Sequence, residues 1–94
     1  MEEFEIRRTD GAFYIEQDGK RIAEMTYSRG PDGKLAIIDH TEADPSLRGR
    51  GIPKKLVAAA VAWARAEKIR LLPLCPYARH VFDTTPDFKD VRAS

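Results

Sequence analysis

Between Arg48 and Lys55 the chain reads R-G-R-G-I-P-K-K, and this glycine-rich, basic segment stands immediately before the one long helical pattern in the sequence. Pro53 can open a helix, because the N–H it lacks would have no partner in the first turn. Leu56, Ala60, Trp63 and Glu67 then follow one line and Val57, Val61 and Ala64 the next, so an apolar stripe runs along a helix from Pro53 to about Lys68. Leu35 to Thr41, containing Ile37 and Ile38, reads as a strand before the loop, and the apolar run Ile69 to Leu74 as a buried strand after the helix. A strand, a crossover helix and a strand in one sheet place the two strands parallel and the connection right-handed. The remaining elements must be built around that unit.

Upstream, Phe4 and Ile6 alternate with Glu3, Glu5 and Arg7, and Phe13 and Ile15 alternate with Tyr14 and Glu16, the period of half-buried strands. Asp10-Gly11 joins them with a hairpin signal, and Asp18-Gly19 repeats it before a third strand in which Ala23, Met25 and Tyr27 share a face. Gly30-Pro31-Asp32-Gly33 is the turn into the fourth strand, whose alternation puts His40 on the face of Ala36 and Ile38. Tyr77 to about Asp83, after Pro76, reads as a second short helix. The expected class is α+β, in the order β-β-β-β-α-β-α, as a single domain over residues 1–94.

Composition bounds the function. A chain of 94 residues has room for one core, and a hydrophobic share of 43% with 33% charged residues suits a folded domain. The net charge of +1 argues against a nucleic-acid-coating surface, so functional charge must be local. Cys75 is the only cysteine; no internal disulfide is available, and no ligand spacing suggests a metal. The acidic opening MEEFEIRR carries no apolar core for secretion, and the longest apolar run, Leu56 to Ala64, is far too short to span a bilayer. A cytoplasmic protein with no membrane association is expected, with a monomer as the simplest state.

The loop carries the chemistry. Gly49 and Gly51 allow a sharp bend and close approach, so that backbone N–H groups can converge on an anion with those of the helix's first turn. Lys54 and Lys55 stand where the helix dipole disfavours cations, a conflict that a bound polyanion removes. A solvated basic loop with turn glycines is the other reading of the same residues. A Walker loop is excluded because no Gly-Lys-Ser/Thr closes the segment, and G-x-G-x-x-G is absent.

From the second strand to Phe88 the chain resembles the short, single-domain branch of the GNAT acetyltransferase superfamily. Its coenzyme A signature is Arg or Gln, two residues, Gly, one residue, Gly or Ala, often after a Val-x-Pro-x-x lead-in. Ala43-Asp44-Pro45-Ser46-Leu47-Arg48-Gly49-Arg50-Gly51-Ile52-Pro53 follows it up to the last step, where Pro53 replaces the small residue and cannot donate an N–H. A second superfamily pattern, Asn, two residues, Ala, three residues, Tyr, then Gly-Phe, is present in altered form, with Cys75, Ala78 and Phe82 at its three positions and Phe88 near the last. The tyrosine of that pattern protonates the departing coenzyme A thiolate in the superfamily. Phe82 cannot, so another group or water does it, or the domain does not catalyse.

The resemblance implies a GNAT-like mixed sheet with strands four and five splayed at Pro73, acetyl-coenzyme A as cofactor, and transfer of acetyl to an amine, either a small amine or a protein lysine or N-terminus. Pantetheine is implied in the opening, paired with backbone near Glu42 and Ala43, its pyrophosphate on Arg48, Gly49, Arg50, Gly51, Ile52, Pro53, Lys54 and Lys55. Its thiol end is implied near Cys75, Tyr77, Phe82 and His40. It also implies that the superfamily's last two strands are missing or reduced, and that the direct Asp10-Gly11 hairpin leaves the acceptor side open where larger members insert helices.

Cys75 has two readings, a packed small residue or a thiol at a helix N-terminus with a lowered pKa that accepts acetyl. His40 is either a hydrogen-bonded strand histidine or the base that deprotonates the amine or Cys75. Tyr77 either packs or offers a phenol to the cofactor. A coenzyme A binding module without turnover and, less favoured, a loop that binds RNA phosphates are the rival functions; the near-neutral charge and the lack of an aromatic stacking platform stand against the last.

Overall fold

A computed structural model describes residues 4–93. Five strands lie in sequential order in one sheet: β1 (Arg7–Thr9), β2 (Ala12–Gln17), β3 (Lys20–Arg29), β4 (Leu35–Ala43) and β5 (Arg70–Pro73). The first four form an antiparallel meander, and β5 runs parallel to β4. Between β4 and β5 come a 3₁₀ turn (Pro45–Leu47) and helix α1 (Ile52–Glu67); α2 (Pro76–Thr84) and a second 3₁₀ turn (Pro86–Val91) follow. The class, the element order and the parallel β4–β5 pair are those expected. Among the described residues no helix is long and apolar enough to cross a membrane, and no cluster of ligand-type side chains could hold a metal.

The expected periodicities select the core. Phe13 and Ile15, then Ala23, Met25 and Tyr27, then Ala36 and Ile38 are buried on one side of the sheet, where Leu56, Val57, Ala60, Val61 and Ala64 of α1 meet them. Tyr27, Phe13 and Trp63 pack with ring centroids 5.1 to 5.6 Å apart, and Arg8 and Arg29 lie over the Trp63 ring at 5.0 and 5.3 Å. The first strand is shorter than its alternation suggests. Its three residues are exposed, and Phe4 and Ile6 precede it and pack against the core edge.

One correction follows from the register of β3 on β4. Tyr27 faces Ile38 but Thr26 faces His40, so Asp39 is an extra residue in β4, a bulge. Beyond it the alternation is reversed. Thr41, not His40, continues the buried face of Ala36 and Ile38, and His40 turns outward with Glu42, 3.1 Å from its carboxylate.

Helix α1 ends at Lys68, which adopts the left-handed conformation at φ 58° and donates its N–H to Ala64. A non-glycine residue there is strained by about 1 kcal/mol. Lys68→Gly should therefore raise stability by roughly 0.5–1 kcal/mol, read as a higher urea midpoint at an unchanged m-value.

Candidate functional site

The β4–β5 pairing runs only from Leu35↔Arg70 to Ile38↔Pro73. Pro73 has no N–H for the ladder, and the next two N–H groups, of Leu74 and Cys75, both turn onto the Ile38 carbonyl. β4 continues to Ala43 without β5 beside it, and the strands part. A groove of about 440 Å³ opens there, between the end of β4, the loop and the first turn of α1, with Tyr77 of α2 on its far side.

The loop that closes the groove is shaped by hydrogen bonds and two glycines. Asp44 accepts from the Ser46 N–H, the Leu47 N–H bonds to Asp44, and the Arg48 N–H to Pro45, which makes the first 3₁₀ turn. Gly49 at φ 82° and Gly51 at φ 67° then take left-handed conformations, Gly51 as the N-cap of α1. A Cβ at either would meet nothing within 4 Å, so the need for glycine is conformational. Arg50 donates its N–H to Leu47 and Lys55 its N–H to Gly51, whereas those of Gly49, Gly51, Ile52 and Lys54 have no acceptor among the described residues. Pro53, at the second helical position, has none to offer. Unfilled donors at a helix start, with cations beside them, suit a phosphate-bearing ligand.

The expected site residues divide. His40, Glu42, Ala43, Arg48, Gly49, Gly51, Ile52, Pro53 and Tyr77 all line the groove, and Tyr77 is 62% exposed. The Lys54 and Lys55 side chains are exposed on the first turn of α1, outside the lining. Arg50 lies over the Phe4 ring at 5.8 Å. Phe82 is buried away from the groove, packed edge-on against Phe88 at 6.1 Å and under Arg92.

Cys75 is the N-cap of α2 and only 3% exposed. Burial pushes its thiol up, but the Thr41 hydroxyl and the N–H groups at the start of α2, those of Ala78 and Tyr77, outweigh burial and hold it below the ordinary thiol value. Thr41 itself is 3% exposed, lines the groove, and its Oγ1 satisfies no hydrogen bond among the described residues; it is near enough to polarise the sulfur without a well-directed bond to it. Thr41 was missed in the sequence because the bulge, not the alternation, turns it inward.

A family model described as GCN5-related N-acetyltransferase matches residues 12–91. The NMR solution structure of a GCN5-like protein from Staphylococcus aureus superposes with a TM-score of 0.77 at 33% identity, covering 100% of this chain and 92% of that one. A ribosomal-protein-alanine N-acetyltransferase from Brucella melitensis shares the fold at TM-score 0.57 and 22% identity, over 88% of this chain and 61% of its own. A Clostridium acetobutylicum protein described as a predicted acetyltransferase, solved with acetyl-CoA, does so at 0.56 and 19%, over 77% and 53%. This chain thus spans little more than half the length of those two. A search of curated proteins gave no match. With the matched region running from β2 to the last turn, and the splayed strands and glycine loop inside it, the chain belongs to the GCN5-related N-acetyltransferase family.

Proposed function

We propose that the protein binds acetyl-coenzyme A in the groove where β4 and β5 part and transfers the acetyl group to an amine. The observation that carries this reading is the set of unfilled N–H groups at Gly49, Gly51 and Ile52, residues that line that groove, with that of Lys54 one residue beyond it. These amides hold the pyrophosphate, with Arg48, Arg50, Lys54 and Lys55 supplying counter-charge. The β4 backbone at Glu42 and Ala43 has no β5 neighbour and pairs with the pantetheine amides. Tyr77 covers the arm. Acetyl-coenzyme A supplies an activated carbonyl; the chain orients it and moves protons.

His40 stands on the outer side of β4 at the groove's edge, its Nε2 3.1 Å from Glu42, and takes the amine's proton. Phe82 acts from behind, fixing α2 against Phe88 rather than touching the cofactor. Its lack of a hydroxyl is the one observation that favours a second reading, a coenzyme A binding module without turnover.

Reversing Lys54 and Lys55 to glutamate should weaken coenzyme A at least tenfold, about 1.4 kcal/mol, in calorimetry at fixed salt. Unchanged affinity would place the ligand elsewhere. Transfer of labelled acetyl to amines separates the enzyme from the binding module.

A further inference from the structure

A parallel strand pair is found almost only where both faces of the sheet are covered, whereas an antiparallel meander can leave one face to water. This sheet holds both kinds. The helices cover one face and, among the described residues, nothing covers the other. Over the meander the bare face is polar, with Glu24, Thr26 and Ser28 standing outward on β3 between the buried residues of that strand. Over β4 and β5 it is apolar. Ile37 lies opposite Leu72, both half-buried, with Leu35 one step before them, and Leu74 just past β5 is 51% exposed. Tyr77 is similarly exposed but lines the groove, whereas Leu74 does not. The parallel pair lacks its second layer.

Charges of both signs frame this apolar strip. Arg70 stands opposite Leu35 at one end. At the other end is the bulge residue Asp39, held on the same side of the sheet by the Ser28 hydroxyl, which donates to it at 2.8 Å. Neither makes an ion pair among the described residues; Arg70 reaches only the Arg92 carbonyl, at 3.5 Å. A polycation or a polyanion would match one end and be repelled by the other. A second copy matches both. A two-fold axis in the plane between two such faces, running across the strands at Ile37 and Leu72, reverses the order of the rows. The row of Leu35 and Arg70 in one copy then meets the row of Asp39 and Leu74 in the other, and the symmetry makes each contact twice. Neighbouring strands are about 4.8 Å apart, an offset that an arginine side chain spans.

We infer that the uncovered face of β3 to β5 joins two copies of this chain, sheet against sheet, around Ile37 and Leu72, with Arg70 of each copy paired with Asp39 of the other. At about 16 Å² of sheet per residue, from a rise of about 3.4 Å and a spacing of about 4.8 Å, β2 to β5 present on the order of 500 Å². A pair buries about twice that, the low end for specific association, so the dimer is weak and depends on concentration. The monomer expected from the sequence is then the dilute state. Pairing through this face does not rest on coenzyme A binding or acetyl transfer, because the groove lies beyond it, at the far end of β4.

Sedimentation equilibrium of the full chain between about 10 µM and about 1 mM tests this, and the protein should pass from monomer to dimer in that range. Leu74→Ser, at an exposed position that the fold does not depend on, should weaken the dimer roughly threefold or more. Asp39→Arg and Arg70→Asp should each weaken it at least tenfold, since each sets like charges against one another twice. Mixing these two variants in equal amounts should restore the dimer, because in the heterodimer every cation again faces a carboxylate. Such rescue belongs to a pair formed between copies; damage to the fold of either variant would not be repaired by the other. A protein still monomeric at about 1 mM would overturn the inference. A dimer indifferent to both charge reversals forms through another face and overturns it too, as does a mixture no tighter than the single variants.

Discussion

Gly51→Asp should lower coenzyme A affinity at least a hundredfold, about 2.7 kcal/mol, while leaving the fold intact. Gly51 is the N-cap of α1 in a left-handed conformation, one of the few backbone settings that Asp and Asn tolerate better than other side chains. Acidic residues are also favoured at a helix start, so the substitution does not threaten α1. Its carboxylate, however, starts from a Cβ in open space at the groove, on the same loop as the unfilled N–H groups of Gly49 and Ile52. It adds a negative charge where a phosphate is expected to bind, and repels it. Two unit charges about 4 Å apart near a protein surface repel by roughly 4 kcal/mol, more than enough for the expected loss.

Gly51→Asn is the control. It carries the same bulk and the same tolerance of positive φ without the charge, and should cost less than about tenfold. The pair separates the electrostatic role of the loop from its shape. Thermal unfolding should show both variants within a few degrees of the unsubstituted protein. Equal loss for Asp and Asn would mean that crowding, not charge, controls the site, and equal affinity for both would remove the loop from the binding surface.

The loop was legible because its evidence is local: two glycines, four cations and a proline at a helix start leave few conformations that satisfy the backbone. The core faces of β2, β3 and α1 were legible for the same reason, since a period of two or 3.6 is counted along a single segment. The bulge at Asp39 was not. It is set by how β3 and β4 pair, and one extra residue in a nine-residue strand leaves no mark on composition while it reverses every face beyond it. Its consequences reach the site. Thr41 comes inward beside Cys75, and His40 and Glu42 go outward to join Glu24. Cross-strand neighbours of that kind are invisible to a reading taken one strand at a time. Phe82 shows the converse: its sequence position suggested a place at the cofactor, but the ring turns into the core against Phe88, where its burial is satisfied.

Incubating the protein with acetyl-coenzyme A and no acceptor should leave a hydroxylamine-sensitive acetyl group on Cys75, and Cys75→Ala should abolish both adduct and turnover. Cys75 is buried and outside the groove lining, and the ground for this expectation is that the start of α2 and the Thr41 hydroxyl lower its pKa in spite of burial. On that expectation the thiolate takes the acetyl group, forming a new carbon–sulfur bond as coenzyme A leaves as its own thiolate; the amine then displaces Cys75, with His40 the expected acceptor of its proton. The sign of the pH dependence follows. A thiol with a depressed pKa ionises at lower pH when folded than when unfolded, so thiolate stabilisation is full above the unfolded value and is lost as pH falls through the folded one. Adduct formation should therefore rise with pH to a midpoint below the ordinary thiol value. Thr41→Val, which keeps the shape but removes the hydroxyl, should move that midpoint upward. His40→Ala should slow discharge to the amine by roughly 10² and leave the adduct untouched, since it acts after the thioester has formed. Full turnover in Cys75→Ala would establish direct attack by the amine on the bound thioester, with Cys75 a packed N-cap. An adduct on Cys75 that no amine discharges would instead identify a domain that binds and stores acetyl groups without passing them on.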